Sequence, residues 1–105
     1  MNRFHVASDP DTFVERAHAA LAELAASPGY VRGELTRALD DPTHWCLVTE
    51  WLNVGSYRRA LGRYQVKITA TPLLAEALME PSAYETLAAA EPGGAVRSRS
   101  SDLAV

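Results

Sequence analysis

Residues 30–51 read YVRGELTRALDDPTHWCLVTEW, and this stretch decides the fold. Residues 30–39 alternate, with Val31, Leu35 and Leu39 set against Arg32, Glu34 and Thr36. A period of two is the pattern of a strand with one buried face. Asp40-Asp41-Pro42-Thr43 is turn chemistry, because Asp side chains bond nearby amides and proline pre-sets φ. Residues 44–52, HWCLVTEWL, are rich in the aromatic and β-branched residues that suit a pleated surface. So short a connection makes the two strands antiparallel neighbours. By parity, Trp45, Leu47, Thr49 and Trp51 share one face of the second strand, and His44, Cys46, Val48, Glu50 and Leu52 share the other.

Working outward, residues 3–7 form a short strand with Phe4 and Val6 on its buried side and His5 facing away. Asp9 can cap the helix that follows, and Pro10 suits its first position, where no N–H is needed. Phe13, Ala17, Leu21 and Leu24 then recur at spacings of three and four, which predicts an amphipathic helix over residues 11–26, ended by Ser27-Pro28-Gly29. Beyond the hairpin, helical spacing returns with Tyr57, Leu61, Tyr64 and Ile68, then Leu74 and Leu78. Gly62 and Pro72 interrupt it, so a short helix, a bend and a second helical piece up to Met79 are expected. From Pro81 a last extended segment follows, with Tyr84 and Thr86 alternating against Glu85. The domain is expected to span residues 1–91, and the Pro-, Gly-, Ser- and Arg-rich residues 92–105 to be a flexible tail.

The predicted order is strand, helix, strand, strand, helix, strand: a ferredoxin-like α+β domain with an antiparallel sheet and both helices on one face. The other face would carry Cys46 and Val48, too apolar for water, so a homodimer is expected.

At 105 residues the chain has room for one core. Its net charge of −3 and the lack of any Lys/Arg block exclude binding to nucleic acid through clustered cations. The one cysteine, Cys46, cannot form an internal disulfide. No apolar run approaches the roughly 20 residues that span a bilayer, and MNRFHV lacks the apolar core of a signal peptide. A cytoplasmic protein without membrane contact is expected. There is no metal-ligand spacing, Gly-rich phosphate loop or nucleophile–base pair. Arg58, Arg59 and Arg63 form a basic strip whose default is a solvated face.

Three segments resemble one family. Ser27-Pro28-Gly29-Tyr30-Val31 is similar to a Pro-Gly-aromatic entry into the second strand. Leu39-Asp40-Asp41-Pro42, with Trp45-Cys46-Leu47-Val48-Thr49-Glu50-Trp51, is similar to a hairpin whose return strand ends in Glu-Trp. Val54-Gly55-Ser56-Tyr57 is similar to an aromatic helix start. Their order and spacing over residues 3–88 resemble the antibiotic biosynthesis monooxygenases. The resemblance implies a dimeric α/β barrel. Some such proteins oxidise anthrone-like aromatic polyketides to quinones with dioxygen and without metal or flavin; others degrade haem. The quinone-forming members use a tryptophan and, six residues later, a tyrosine, positions held here by Trp51 and Tyr57. Their asparagine and arginine are replaced by Leu47 and Thr71. The helix residues of the haem-degrading branch are missing.

The resemblance thus implies a cofactor-independent monooxygenase acting on a phenolic polycyclic substrate, with Trp51 and Tyr57 as catalytic candidates. Trp45, Leu47 and Tyr64 are candidates for binding the substrate. Either indole could instead be core, and Tyr64 could be core as well. His5 and His44 are the candidate bases, neither in a favoured position, and His18 reads as surface. A non-catalytic dimeric ligand-binding or accessory protein, or a polyketide cyclase, fits the same fold.

Overall fold

The computed structural model describes residues 1–101. Strand β1 (Asn2–His5) leads through Asp9 to helix α1 (Pro10–Ala25). Asp9 takes a positive φ of 50° and accepts from the Thr12 amide, while Pro10 occupies the first turn as its missing N–H allows. Phe13, Ala17, Ala20 and Leu24 form the buried stripe of α1, and Leu21 packs at its edge. Phe4 of β1 meets Phe13 edge to face at 5.2 Å.

Strand β2 (Tyr30–Arg37) pairs antiparallel with β3 (His44–Trp51), as the hairpin pattern predicts, and β3 is the central strand in the order β1-β3-β2. Leu47 lies opposite both Asn2 and Leu35, so the helix-covered face holds Phe4, Leu35, Trp45, Leu47, Thr49 and Trp51. The other face carries Arg3, His5, Glu34, Thr36, His44, Cys46, Val48 and Glu50. A bulge between Tyr30 and Arg32 breaks the alternation, and Val31 is exposed instead of buried.

After β3 the helical stretch breaks twice, giving α2 (Val54–Leu61), α3 (Tyr64–Thr69) and α4 (Thr71–Leu74). The breaks fall at Gly62-Arg63 and at Ala70. Pro72 lies within the first turn of α4, where a proline is tolerated. Each break resets the helical phase. Ala60, Val66, Ala70 and Leu73 are therefore the buried positions, whereas Tyr64 and Ile68, inward on an unbroken period, are exposed. Arg63 leaves the expected solvated strip as well: its guanidinium donates to the Glu23 carbonyl at 3.0 Å and to the Ser27 hydroxyl at 2.6 Å, closing the C-terminus of α1.

The chain then returns beside β1. The Leu78 amide donates to the Arg3 carbonyl, the amino group of Met1 donates to the Ser82 carbonyl, and Arg3 pairs with Glu80. Residues 78–82 thus occupy the fourth-strand place of a ferredoxin-like sheet without forming a full ladder, starting three residues before the extended segment expected from Pro81. Beyond them, β4 (Ala88–Ala89) and β5 (Arg97–Ser98) form a separate two-stranded hairpin. Residues 92–101, expected as tail, are its turn and return arm. Residues 102–105 of that tail lie outside the described residues. The radius of gyration, 14.9 Å, exceeds the roughly 13 Å of a compact chain this long. Among the described residues no helix is long and apolar enough to cross a membrane.

Candidate functional site

Gly29 sets the geometry of the site. Its φ is 86°, and a Cβ there would fall 2.3 Å from the Ser56 hydroxyl. Only a glycine lets the turn between α1 and β2 press this closely on α2. The Gly29 carbonyl also accepts from the Leu52 amide. One residue on, Asn53 caps α2 by accepting from the Ser56 amide at 2.8 Å and its hydroxyl at 2.9 Å. Ser56 is buried. Tyr57 follows it, so its ring is placed by the cap and by the Gly29 contact together.

Trp51 closes β3 on the same side of the sheet. Its indole N–H donates to the Thr49 hydroxyl at 2.9 Å. The ring stands between Tyr30, with centroids 5.4 Å apart at 85°, and Tyr57, 5.6 Å apart at 49°. Such aromatic contacts fix orientation as well as area.

Tyr57 lines an open hollow of about 590 Å³ between β1, the three short helices and residue 82. Leu61 and Leu74 give it apolar walls; Asn2, Thr71 and Ser82 add neutral hydrogen-bonding groups, and Lys67 adds a cation. This size suits a small organic ligand. Trp51, expected to wall a pocket, does not line the hollow; it packs against the Tyr57 ring. The Tyr57 hydroxyl makes no hydrogen bond among the described residues, so it is free to donate.

The other sequence candidates are dispersed. Trp45 shares a face with Trp51 but lies six residues away, about 20 Å along the strand, so the two indoles do not wall one pocket. It packs on Phe13 at 5.5 Å with the Arg37 guanidinium over its ring, and its buried N–H has no partner. Leu47 is sealed in the core at 1% exposure, and Tyr64 is 72% exposed outside the hollow. Neither borders the Tyr57 hollow.

A second open hollow, about 580 Å³, lies at the hairpin end and is lined by Arg3, Arg37, Asp40, Asp41, His44, Trp45 and Cys46, among others. There His44 pairs with Asp41 at 3.2 Å and its ring meets that of His5 at 5.5 Å. The Thr43 hydroxyl and amide hold the Asp41 carboxyl below the usual carboxylate range. Both candidate bases therefore stand on the helix-free face, across the sheet from Tyr57. Among the described residues no cluster of His, Cys, Asp and Glu is arranged to hold a metal ion.

Sequence reasoning missed Asn2, Lys67, Leu74 and Ser82 as lining residues. They come from separate segments, and no local pattern marks them as one site.

The antibiotic biosynthesis monooxygenase family model matches residues 1–71. Among solved structures, the chain is similar to SnoaB, a cofactor-independent oxygenase from Streptomyces nogalater. The identity is 31% over 82% of this chain and 91% of that one, with a TM-score of 0.66. A conserved protein from Methanosarcina mazei Go1 has 20% identity over 76% of this chain and 79% of that one, at a TM-score of 0.61. A putative antibiotic biosynthesis monooxygenase from Nitrosomonas europaea has 20% identity over 75% and 83%, at 0.59. These last two likenesses show the fold. No curated protein matches the chain.

Proposed function

The chain belongs to the antibiotic biosynthesis monooxygenase family, and from that membership we propose a cofactor-independent oxygenase that converts a phenolic, anthrone-like polycyclic substrate to a quinone. The observation that carries this reading is Tyr57, buttressed by Trp51 at 5.6 Å, with its free hydroxyl on a hollow large enough for fused rings. The similarity to a cofactor-independent oxygenase at 31% identity supports it.

The chemistry balances without a further redox partner. Loss of a proton to solvent makes the substrate an electron-rich anion, and this anion gives one electron to dioxygen. The radical and the superoxide combine into a C–O bond, the peroxide anion so formed takes a proton back from solvent, and the hydroperoxide loses water. Overall, a ring CH₂ and O₂ become C=O and H₂O. The Tyr57 hydroxyl donates to the substrate oxygen, favouring the anion where charge develops. Trp51 is a positioning residue that holds the Tyr57 ring. Leu61 and Leu74 offer the apolar surface against which fused rings lose water.

Mixing the protein with an anthrone under dioxygen tests the reading. Quinone should accumulate with one dioxygen consumed per quinone, faster than with the Trp51→Phe/Tyr57→Phe double variant. Equal rates would refute it. A non-catalytic ligand carrier is the second reading, favoured by the apolar Leu47 and neutral Thr71 where the family's oxygenases are polar or charged. It predicts quinone binding without dioxygen uptake. A cyclase would likewise leave dioxygen unconsumed.

The homodimer is part of this proposal. Cys46 and Val48 lie half-buried on a sheet face that no helix covers among the described residues, and Tyr84, Leu87 and Val96 are exposed on the C-terminal segment. Light scattering should give twice the 11.4 kDa chain mass; a single-chain mass would contradict it. A cytoplasmic location is part of the same proposal.

A further inference from the structure

The two tryptophans share one face of β3, yet their N–H groups fare differently. The Trp45 N–H is buried without a partner among the described residues. The Trp51 N–H donates at 2.9 Å to the hydroxyl of Thr49, two residues earlier on the same strand. A fold that carries one unpaired indole N–H does not require the other to be paired, so the bond at Trp51 has a reason beyond packing. The rings around it supply that reason. Tyr30 meets the indole edge-on at 85°, and Tyr57 meets it at 49°. Such contacts settle the plane of a ring but not which way round an indole lies in it, because the torsion that turns it is broad and roughly two-fold. The Thr49 hydroxyl decides between the two, since a turned indole would leave its half-buried N–H without this acceptor. Thr49 stands opposite Gly33 of β2, where a Cβ would fall 2.6 Å from the Tyr30 hydroxyl and 3.1 Å from the Thr49 methyl. The missing side chain lets Tyr30, Thr49 and Trp51 close up.

We propose that Thr49 is a positioning residue: its hydroxyl selects the one indole orientation that supports the Tyr57 ring with its own hydroxyl on the hollow. This deepens the reading above and rests on that hollow being the substrate site. Thr49 does not line the hollow, so it touches no ligand and acts through Trp51. The order of control runs from the Thr49 hydroxyl to the indole N–H, from the indole face to the Tyr57 ring, and from that ring to the donor that meets the substrate oxygen.

Thr49→Val removes the acceptor at nearly constant volume and keeps a residue that suits a strand. In ¹⁵N spectra the chain has two indole N–H signals, one for each tryptophan, and Trp45→Phe assigns them. In Thr49→Val the Trp51 signal should move and exchange faster with solvent, and affinity for a hydroxyanthraquinone should fall several-fold, the scale of one neutral hydrogen bond. Thr49→Ser keeps the hydroxyl and should restore most of that affinity. Phenylalanine has no N–H, so in a Trp51→Phe background Thr49→Val should lower affinity no further, a coupling that a threonine serving the strand alone would not show. An unmoved Trp51 signal in Thr49→Val, a moved signal with unchanged affinity, no rescue by Thr49→Ser, an equal loss in the Trp51→Phe background, or no binding of the quinone by the unmodified protein would each overturn the proposal. Signal and affinity are read without turnover, so this failure is distinct from failure of the oxygenase reading, which dioxygen uptake decides.

Discussion

Tyr57→Phe should lower kcat for quinone formation by about 10²–10³-fold, the usual loss when one preorganised donor to a developing oxyanion is removed. The fold should barely notice. The Tyr57 hydroxyl has no partner among the described residues, and the phenyl ring can keep its contact with Trp51. The thermal midpoint should therefore stay close to that of the unmodified protein, and quinone affinity should fall only several-fold, the loss of one neutral hydrogen bond, while turnover falls much further. That split identifies a group acting on the transition state, because uniform binding would move KM instead. Trp51→Leu should act differently. Without the indole, Tyr57 loses its buttress, so KM and kcat should both worsen. Steady-state kinetics of the two variants side by side checks the division of roles. A Tyr57→Phe enzyme with unchanged kcat would contradict it.

Gly29→Ala should be the most damaging single substitution for stability. Two costs coincide at one atom. The left-handed φ of 86° costs a non-glycine residue about 1–2 kcal/mol. The new Cβ would also stand 2.3 Å from the Ser56 hydroxyl and 2.4 Å from its Cβ, overpacking worth about 1–3 kcal/mol. A total of about 2–5 kcal/mol would lower the thermal midpoint by tens of degrees in a domain this small. Gly93 provides the control. Its φ is 71°, but nothing lies within 4 Å of where its Cβ would stand. Gly93→Ala should thus cost only the backbone part. Adding Ser56→Gly to Gly29→Ala should recover part of the loss, as coupled neighbours do. Thermal melts of the four proteins separate strain from collision; equal losses at Gly29 and Gly93 would show the collision to be absent.

The hairpin and first helix were the most legible parts of the sequence. Alternation, an Asp-Asp-Pro turn and the Asp9-Pro10 cap are local signals, and they give β2, β3 and the start of α1, although Leu39, expected on the buried face, lies beyond the end of β2 and is fully exposed. Legibility failed where local phase was lost. Gly62 and Arg63 reset the helix, so the Tyr64 and Ile68 spacing pointed outward rather than inward. The bulge at Tyr30/Arg32 did the same to Val31. Parity correctly put Trp45 and Trp51 on one face, but their six-residue separation, about 20 Å of strand, was itself readable from the sequence and already set them too far apart to wall one pocket. Of the site, the Trp51–Tyr57 pair came from the family resemblance, and their ring contact is a fact of the fold. Asn2, Lys67, Thr71 and Ser82 could not be read as one group, because only tertiary packing brings β1, α3, α4 and the returning chain to the same hollow.

Everything functional depends on which of two equally large cavities receives the aromatic ligand. A crystal structure with a bound hydroxyanthraquinone decides this most directly. The account predicts fused rings lying against Leu61 and Leu74, with the Tyr57 hydroxyl within hydrogen-bond distance of a quinone or phenol oxygen. Rings seated instead among Arg3, His44 and Cys46, with Tyr57 left bare, would contradict it.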